Sequence, residues 1–430
     1  MAASTVAVSV AVDSRTITSH PSAPARVGLL GHGTIGRAVV DAIAEHPHLN
    51  LVSTSALVRD THGHAPSAAT LVTDAAQVLD HADVIVEVLG GVEPARTLVE
   101  AALLRRIPVV TANKTMMAAH GPALRALARE TGTPLLFEAA VVAGVPFVGA
   151  IARRPLLSGV SALTGILNGT SHFITTGIER GADFADVLAH AQAAGYAEPD
   201  SSADVSGRDA AEKLTILLHL CGASTVQTSQ LCRRGIDTLS ALDLVAAQAL
   251  GGTIKPIAHA SLDTARPGSW VGPAFVPKTH AFAPFTGVTN ALHLQWGTDA
   301  PVLFAGPGAG PAVTAATLLD DIIEALTAKD TDTFSIGADH KRAARAALDL
   351  SAPPASPWFI RASGLDASPA DVAEFLAGRQ LAALRVEAGT FGVAALTTTA
   401  AWSAASHAAA SLTQLGATVT LCPALSAEIR

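Results

Sequence analysis

The sequence predicts an α/β chain that opens with a doubly wound parallel sheet, and three observations carry that expectation. Short apolar runs alternate with helical stretches of about ten residues along the first third of the chain. A glycine cluster, Gly31-His32-Gly33-Thr34-Ile35-Gly36, directly follows the first apolar run. Charge is scarce, at 15% of 430 residues, and is concentrated in a few blocks rather than spread over every face.

In chain order, Arg26–Leu30 reads as a strand, and Ala38, Val39, Ala42 and Ile43 then recur at helical spacing. A strand over Leu51–Val58, a helix near Ala75–Leu79, a strand over Val84–Leu89 and a helix from Pro94 to Arg106 follow. Val109–Ala112 is the next strand, Gly121–Thr131 the next helix, and Leu135–Phe137 the last short strand. Residues 25–150 are therefore expected to form a first domain. Residues 151–304 read as an α+β domain, with helices over Phe184–Ala194, Gly207–Leu220 and Leu239–Ala249 and strands over Val160–Ile166, Ile254–Ala260 and Thr279–Phe285. Gly306-Pro307-Gly308-Ala309-Gly310 turns the chain sharply. The helix Thr314–Leu326 is expected to return to the first domain, which 305–340 completes.

Thr331–Lys341 is polar and Ser351–Pro357 holds three prolines, so 341–357 reads as a linker. The remainder, 358–430, reads strand Trp358–Ala362, helix Pro369–Ala377, strands Ala382–Val386 and Phe391–Thr399, helix Ser403–Leu415, strand Val419–Leu421. That βαββαβ order predicts a ferredoxin-like domain.

Composition excludes several classes. Mean hydropathy is +0.39, but the most apolar run, Ala139–Ala152, has 14 residues and contains Pro146, whereas a spanning helix needs about 20. Three cysteines exclude a disulfide scaffold and a cysteine zinc site. A net charge of −8 argues against general nucleic-acid binding. Residues 1–24 hold one cation, Arg15, and no apolar core segment, so a flexible tail is expected rather than a leader, with the cytoplasm as compartment.

Gly31, Gly33 and Gly36 fit G-x-G-x-x-G at a strand-to-helix junction. The first permits the tight turn, the second lets a pyrophosphate approach the backbone, and the third allows close helix–strand packing. Amides at the helix start then favour the phosphate. The chain is thus expected to have a Rossmann-type dinucleotide-binding domain. At the end of the second strand stand Arg59, suited to a 2′-phosphate, and Asp60, suited to ribose hydroxyls; the order favours NADP, with NAD as the alternative. Lys114 closes the fourth apparent strand in Thr111-Ala112-Asn113-Lys114, at the edge where open α/β sheets bind ligands.

The densest polar block runs Gly195-Tyr196-Ala197-Glu198-Pro199-Asp200, then Asp204, then Ser206-Gly207-Arg208-Asp209-Ala210-Ala211-Glu212-Lys213, and it contains the single tyrosine. Asp209 and Lys213 share one helix face. Spacing alone leaves two readings open: a catalytic pair, or a Ser206–Asp209 capping box beside a simple i,i+4 ion pair.

These residues resemble the homoserine dehydrogenase family. The resemblance rests on the glycine loop, Glu87-Val88-Leu89-Gly90-Gly91-Val92-Glu93-Pro94, Asn113-Lys114, Gly165-Ile166-Leu167-Asn168-Gly169-Thr170 and the Tyr196–Lys213 block, and spans about 26–345. It implies NAD(P)-dependent interconversion of L-homoserine and L-aspartate 4-semialdehyde on the route to threonine and methionine. By resemblance, Lys213 is the general acid/base and Lys114 assists at the nicotinamide, with Asp209 counted in the catalytic set as part of the pocket. Glu198 holds the substrate amino group, with Asp204, Tyr196, Thr170 and Gly195 completing the pocket. Gly31, Gly33, Thr34, Ile35, Gly36, Arg59, Gly90, Lys114 and Gly310 line the cofactor. A monovalent cation such as sodium is held by main-chain oxygens of Glu138, Val141, Ala143 and Val145. The chain departs from the family at Val142, at His172 and at Asp200-Ser201, where glycine, asparagine and D-P are usual.

The tail resembles the ACT regulatory module, yet Gly364-Leu365-Asp366-Ala367-Ser368-Pro369 lacks the glycine of D-x-P-G. A structural or dimerisation role is therefore expected in place of threonine sensing, and assembly as a homodimer or homotetramer. No cysteine lies between Lys114 and Thr170, which argues against the chemically related aspartate-semialdehyde dehydrogenases, whose nucleophile is a cysteine. The alternative is a catalytically silent amino-acid sensor of the same fold; the intact charged positions speak against it.

Overall fold

The computed structural model describes residues 23–62, 65–152, 160–296, 301–327 and 348–426. Residues 1–22 of the expected tail, the polar stretch Thr331–Lys341 and residues 341–347 of the linker fall outside these residues.

The first sheet is built from β1 (Ala25–Leu30), α1 (Thr34–Glu45), β2 (Leu51–Leu57), β3 (Thr70–Val72), α2 (Ala75–Leu79), β4 (Val84–Glu87), α3 (Ala95–Leu104), β5 (Val109–Thr111), α4 (Lys114–Thr131) and β6 (Leu135–Leu136). Its order is β3-β2-β1-β4-β5-β6 with every pair parallel. This is the doubly wound order whose switch point, between β1 and β4, opens a crevice at the strand C-termini.

The chain continues through α5 (Phe147–Ala152), β7 (Val160–Ile166), α6 (Gly169–Glu179), α7 (Phe184–Ala193), α8 (Ser202–Val205), α9 (Arg208–Leu220) and α10 (Ala241–Ala249). Next come β8 (Gly252–Ser261), β9 (Gly268–Pro277), β10 (Thr289–Trp296), β11 (Val302–Pro307) and α11 (Pro311–Thr327). The second sheet, β11-β10-β7-β8-β9, is antiparallel throughout. Helix α11 goes back to the first sheet, where Leu318, Leu319 and Ile322 pack with Val39, Ile43 and Val84.

The last sheet comes from β12 (Trp358–Ser363), α12 (Pro369–Ala377), β13 (Ala383–Gly389), β14 (Gly392–Thr397), α13 (Trp402–Gln414) and β15 (Thr418–Pro423). Its antiparallel order β13-β14-β12-β15 is ferredoxin-like. It packs directly on the middle of the chain. Phe359, Phe391 and Cys422 share a core with Ile174, Leu244 and Phe275, and buried Arg361 donates from Nε to Asp243 Oδ1 at 2.5 Å.

Three expectations need correction. Helix α4 begins at Lys114, not Gly121, because the Asn113 side chain accepts from Met116 N at 3.0 Å and caps it; Gly121 and Pro122 masked that start. Thr279–Phe285 is a run of turns, not a strand. Its apolar residues cover the sheet instead, with Phe282 packed on Ile257, Ala274 and Ala291. Strands β9, β10 and β11 and helix α6 were not foreseen: β9 is buried along nearly its whole length, so no alternation marks it.

Candidate active site

Glu87 ends β4 fully buried. Its carboxylate accepts from Thr111 Oγ1 at 2.5 Å, Asn113 Nδ2 at 3.2 Å and Leu89 N at 2.8 Å. Asn113 also donates to Gly91 O at 2.7 Å. Two strand ends and the Gly90-Gly91 turn are thereby tied to one carboxylate, which sets Lys114 at the start of α4. Burial raises the Glu87 carboxyl above its ordinary range, against the pull of these hydrogen bonds.

From α9 comes the facing charge. Asp209 Oδ1 lies 2.9 Å from Lys114 Nζ, and Asp209 Oδ2 lies 2.9 Å from Lys213 Nζ. Lys213 also donates to Leu167 O at 3.0 Å. Asn168, ahead of α6, donates from Nδ2 to Asp204 Oδ1 at 2.6 Å and to Asp209 Oδ2 at 2.8 Å. One buried carboxylate thus joins two lysines brought together from helices α4 and α9. Burial alone would push Asp209 up, but the two ammonium groups and Asn168 hold it below the ordinary carboxylate range. Asp209 in turn raises Lys114. Asp204 is raised by burial and then by Asp209. Glu212, raised by burial, accepts from Thr115 Oγ1 at 3.0 Å.

The Ser206–Asp209 capping box does not form. Gly207, at φ +76°, occupies the N-cap of α9 without a side-chain cap, because the Asp209 carboxylate faces the lysines. The i,i+4 pair does form, inside this larger network. Thr170 Oγ1 donates to Tyr196 O at 2.6 Å and ties α6 to the loop beginning at Gly195, φ +75°. Tyr196 is 48% exposed with its ring 5.1 Å from Phe173. Glu198 is exposed and its carboxylate makes no contact with the lysine cluster among the described residues. Tyr196 and Glu198 form a rim rather than part of the charged centre.

The glycine loop has the geometry a pyrophosphate needs. Gly31 has φ +110°, and a Cβ there would meet Val88 O at 2.9 Å. A Cβ on Gly33 would meet nothing within 4 Å, and one on Gly36 would lie 2.3 Å from Gly31 O. Helix α1, where Thr34 and Ile35 stand, has no side-chain cap, leaving its first amides to a ligand. Gly90 (φ +77°) and Gly310 (φ +129°) border open space. Strand β2 ends at Leu57, so Arg59 and Asp60 both lie in the exposed loop beyond it. Asp60 Oδ1 is 2.8 Å from His62 Nδ1.

At the expected cation loop, the Glu138 carboxylate accepts from Val148 N at 2.8 Å and Gly149 N at 2.6 Å, so main-chain oxygens are the available donors. Glu138 O, Ala143 O and Val145 O each accept one hydrogen bond, from Val141 N, the Thr317 hydroxyl and Phe147 N respectively, and each keeps a second lone pair. Val142 is buried without left-handed backbone, so it does not distort the loop. Neutral carbonyls with a free lone pair are a donor type that suits a monovalent cation. Among the described residues no group of three or more His, Cys, Asp or Glu is placed to hold a metal.

His172 is fully buried, donates from Nδ1 to Thr289 O at 2.8 Å, and is lowered to about 4 by burial. Asp200 accepts from Ser202 N at 3.0 Å, a local turn in place of proline. A cavity of about 750 Å³, lined among others by Thr164, His259, His293 and Pro354, holds none of the expected site residues. No described helix is long and apolar enough to cross a membrane.

Sequence reasoning missed Glu87, Asn168 and Glu212 as site residues, although all three stood inside quoted motifs. For Glu87 and Asn168 the signal available was their polar character at the ends of otherwise apolar strands.

Comparison with known proteins agrees with this geometry. A family model described as homoserine dehydrogenase matches residues 146–323, and one described as homoserine dehydrogenase, NAD binding domain, matches 31–138. Homoserine dehydrogenase of Corynebacterium glutamicum is 35% identical over 322 residues, 71% of this chain and 72% of the relative. That of Synechocystis is 34% identical over 314 residues, 69% and 72%. The crystal structure of a homoserine dehydrogenase from Thiobacillus denitrificans superimposes with a TM-score of 0.78 at 28% identity, covering 94% of this chain and 99% of the other. The chain belongs to the homoserine dehydrogenase family, the NAD(P)-dependent oxidoreductases that interconvert L-homoserine and L-aspartate 4-semialdehyde.

Proposed function

We propose that Lys213 is the general acid/base of homoserine dehydrogenation in this chain and that Asp209 holds it and Lys114 as one unit. The observation that carries this reading is the pair of 2.9 Å contacts from one buried carboxylate to both ammonium groups. When bound, the nicotinamide supplies a hydride to the aldehyde carbon or takes it from the alcohol carbon. Lys213 Nζ gives its proton to the aldehyde oxygen in reduction and accepts the hydroxyl proton in oxidation. An ammonium beside the oxygen stabilises the negative charge that develops there. Lys114, from the nucleotide side, carries the adjoining positive charge. Asp204, held by Asn168, and Glu198 at the rim receive the substrate amino group; Tyr196, Thr170 and Gly195 shape the entrance.

NADP is the favoured cofactor. Asp60 is engaged by His62, whereas no described residue contacts the Arg59 guanidinium, which is left to a 2′-phosphate. Glu138, Val141, Ala143 and Val145 would hold a sodium ion through main-chain oxygens; replacing sodium by choline chloride should then lower the thermal midpoint, and an unchanged midpoint would remove the site. Residues 25–150 with 305–340 act as the cofactor domain, 151–304 as the substrate and dimerisation domain, and 358–430 as a structural tail. In that tail, Ser368 and Asp371 close a capping box on α12, which covers the helix start an effector would need. Assembly is as a homodimer or homotetramer, and the compartment is the cytoplasm.

The test is absorbance at 340 nm with L-homoserine and NADP. Lys213→Ala should lower kcat by about 100- to 10,000-fold while cofactor KM stays within about twofold. Near-normal turnover would reject the acid/base assignment.

A further inference from the structure

The outer edge of β9 carries two short attachments. Near its start, Arg233 forms a parallel bridge with Val271, Arg234 N donates to Val271 O at 2.8 Å, and Val271 N donates to Cys232 O at 2.8 Å. Near its end, Ala424 bridges Phe275 and Leu425 N donates to Phe275 O at 2.9 Å. The first attachment is the segment after α9; the second is the exit of β15 from the C-terminal sheet. Both are fixed to one strand.

From the first attachment, two arginines reach in opposite directions. Arg233 Nη1 donates to Ser206 O at 2.6 Å, in the turn between α8 and α9. Arg234 Nη1 donates to Leu421 O at 3.0 Å, in β15. The main chain reinforces the first link, since Ile236 N donates to Val205 O at 3.0 Å. Two glycines permit the approach. A Cβ on Gly272 would lie 2.5 Å from Arg234 O, and Gly207, at φ +76°, passes beside the Arg233 side chain.

The turn held in this way joins Asp204 to Asp209. The last carbonyls of α8 lie in this turn, where Asp204 O accepts from Ser171 Oγ at 2.8 Å and Ser206 O from Arg233, so its position depends on what grips them. A shift there moves Asp204 relative to Lys213, because Asn168 bonds both aspartates.

We propose that the Arg233-Arg234 pair is a positioning element that sets the Asp204–Asp209 turn against the C-terminal sheet, so that the tail module tunes affinity for the amino-acid substrate without touching it. The proposal rests on the reading of Asp204 and Asp209 as part of the substrate site. Both arginines are engaged with main-chain oxygens of the turn and of β15, so the expected signature is a change in homoserine KM with the cofactor half undisturbed.

The experiment compares Arg233→Ala, Arg233→Lys, Arg234→Ala and Asp204→Asn in the full chain, each with kcat, both KM values and a thermal midpoint. Arg233→Ala should raise homoserine KM about fivefold or more while NADP KM stays within about twofold. Arg233→Lys, which keeps a donor of similar reach, should recover most of that loss. Arg234→Ala should shift homoserine KM the same way by about two- to threefold. Unchanged homoserine KM in Arg233→Ala, or both KM values rising together without rescue by lysine, overturns the proposal. If Arg233→Ala does not fold, an unchanged homoserine KM in Arg234→Ala overturns it instead. Asp204→Asn separates the two readings: if it leaves homoserine KM unchanged the substrate site itself is misassigned, and if it raises KM while the arginine variants do not, only the positioning role fails.

Discussion

The glycine loop and the lysine cluster lie at neighbouring ends of one crevice and prepare for charge by opposite means. The loop has no ionisable side chain among Gly31, Gly33 and Gly36; it offers uncapped amides and the space that missing Cβ atoms leave. The cluster gathers Lys114, Lys213, Asp209, Asp204 and Asn168 and balances them against one another. The first depends on local backbone geometry within six residues. The second depends on groups that meet only after two sheets are assembled. Steric change should therefore damage the loop, and change of charge or pH the cluster.

The largest expected effect on the loop side follows from Gly36→Val. Its Cβ would lie 2.3 Å from Gly31 O, so the turn must open. Cofactor affinity should fall at least about a hundredfold, and dinucleotide titration followed by fluorescence checks it; wild-type affinity would mean the loop is not the pyrophosphate site. Arg59→Ala is milder. Loss of one charge-assisted contact to a 2′-phosphate should raise KM for NADP about tenfold or more and leave NAD within about twofold. Equal effects on both cofactors would remove the basis for NADP preference.

The smallest effect is on stability and concerns histidines rather than the cluster. His172 and His280 are buried and lowered to about 4, chiefly by burial. The unfolded chain binds their protons near pH 6.5, so their contribution is complete above that value. It declines as pH falls toward 4, by roughly 3 kcal/mol per histidine at most. Asp209 works at lower pH: held below its ordinary range, it stabilises above about pH 4 and loses that contribution beneath it. Thermal midpoints from pH 7 to 4.5 should drop, and His172→Asn should flatten the drop. A midpoint independent of pH over that range would contradict buried neutral histidines.

The contrast also explains what could be read from sequence. The glycine loop was legible because a backbone conformation that only glycine tolerates leaves a local mark. Helices α2 and α12 matched residue for residue, since apolar spacing and caps are equally local. Asn168 and Glu87 were quoted in motifs without a role, because what they do depends on partners tens of residues away, such as Asp204 and Asp209 or Asn113. The start of α4 was missed for a related reason: a tertiary contact network fixes Asn113, whose side chain caps the helix. Thr279–Phe285 misled because an apolar run that covers a sheet looks like one that belongs to it.

The claim that Lys114 and Lys213 act as one unit through Asp209 is tested most directly by a double-mutant cycle. Turnover of Lys114→Ala, Lys213→Ala and the double variant would be measured with L-homoserine and NADP under one set of conditions. Shared action predicts that the double variant falls within about threefold of Lys213→Ala alone. Losses that multiply would show that the two lysines work independently, and would contradict the account.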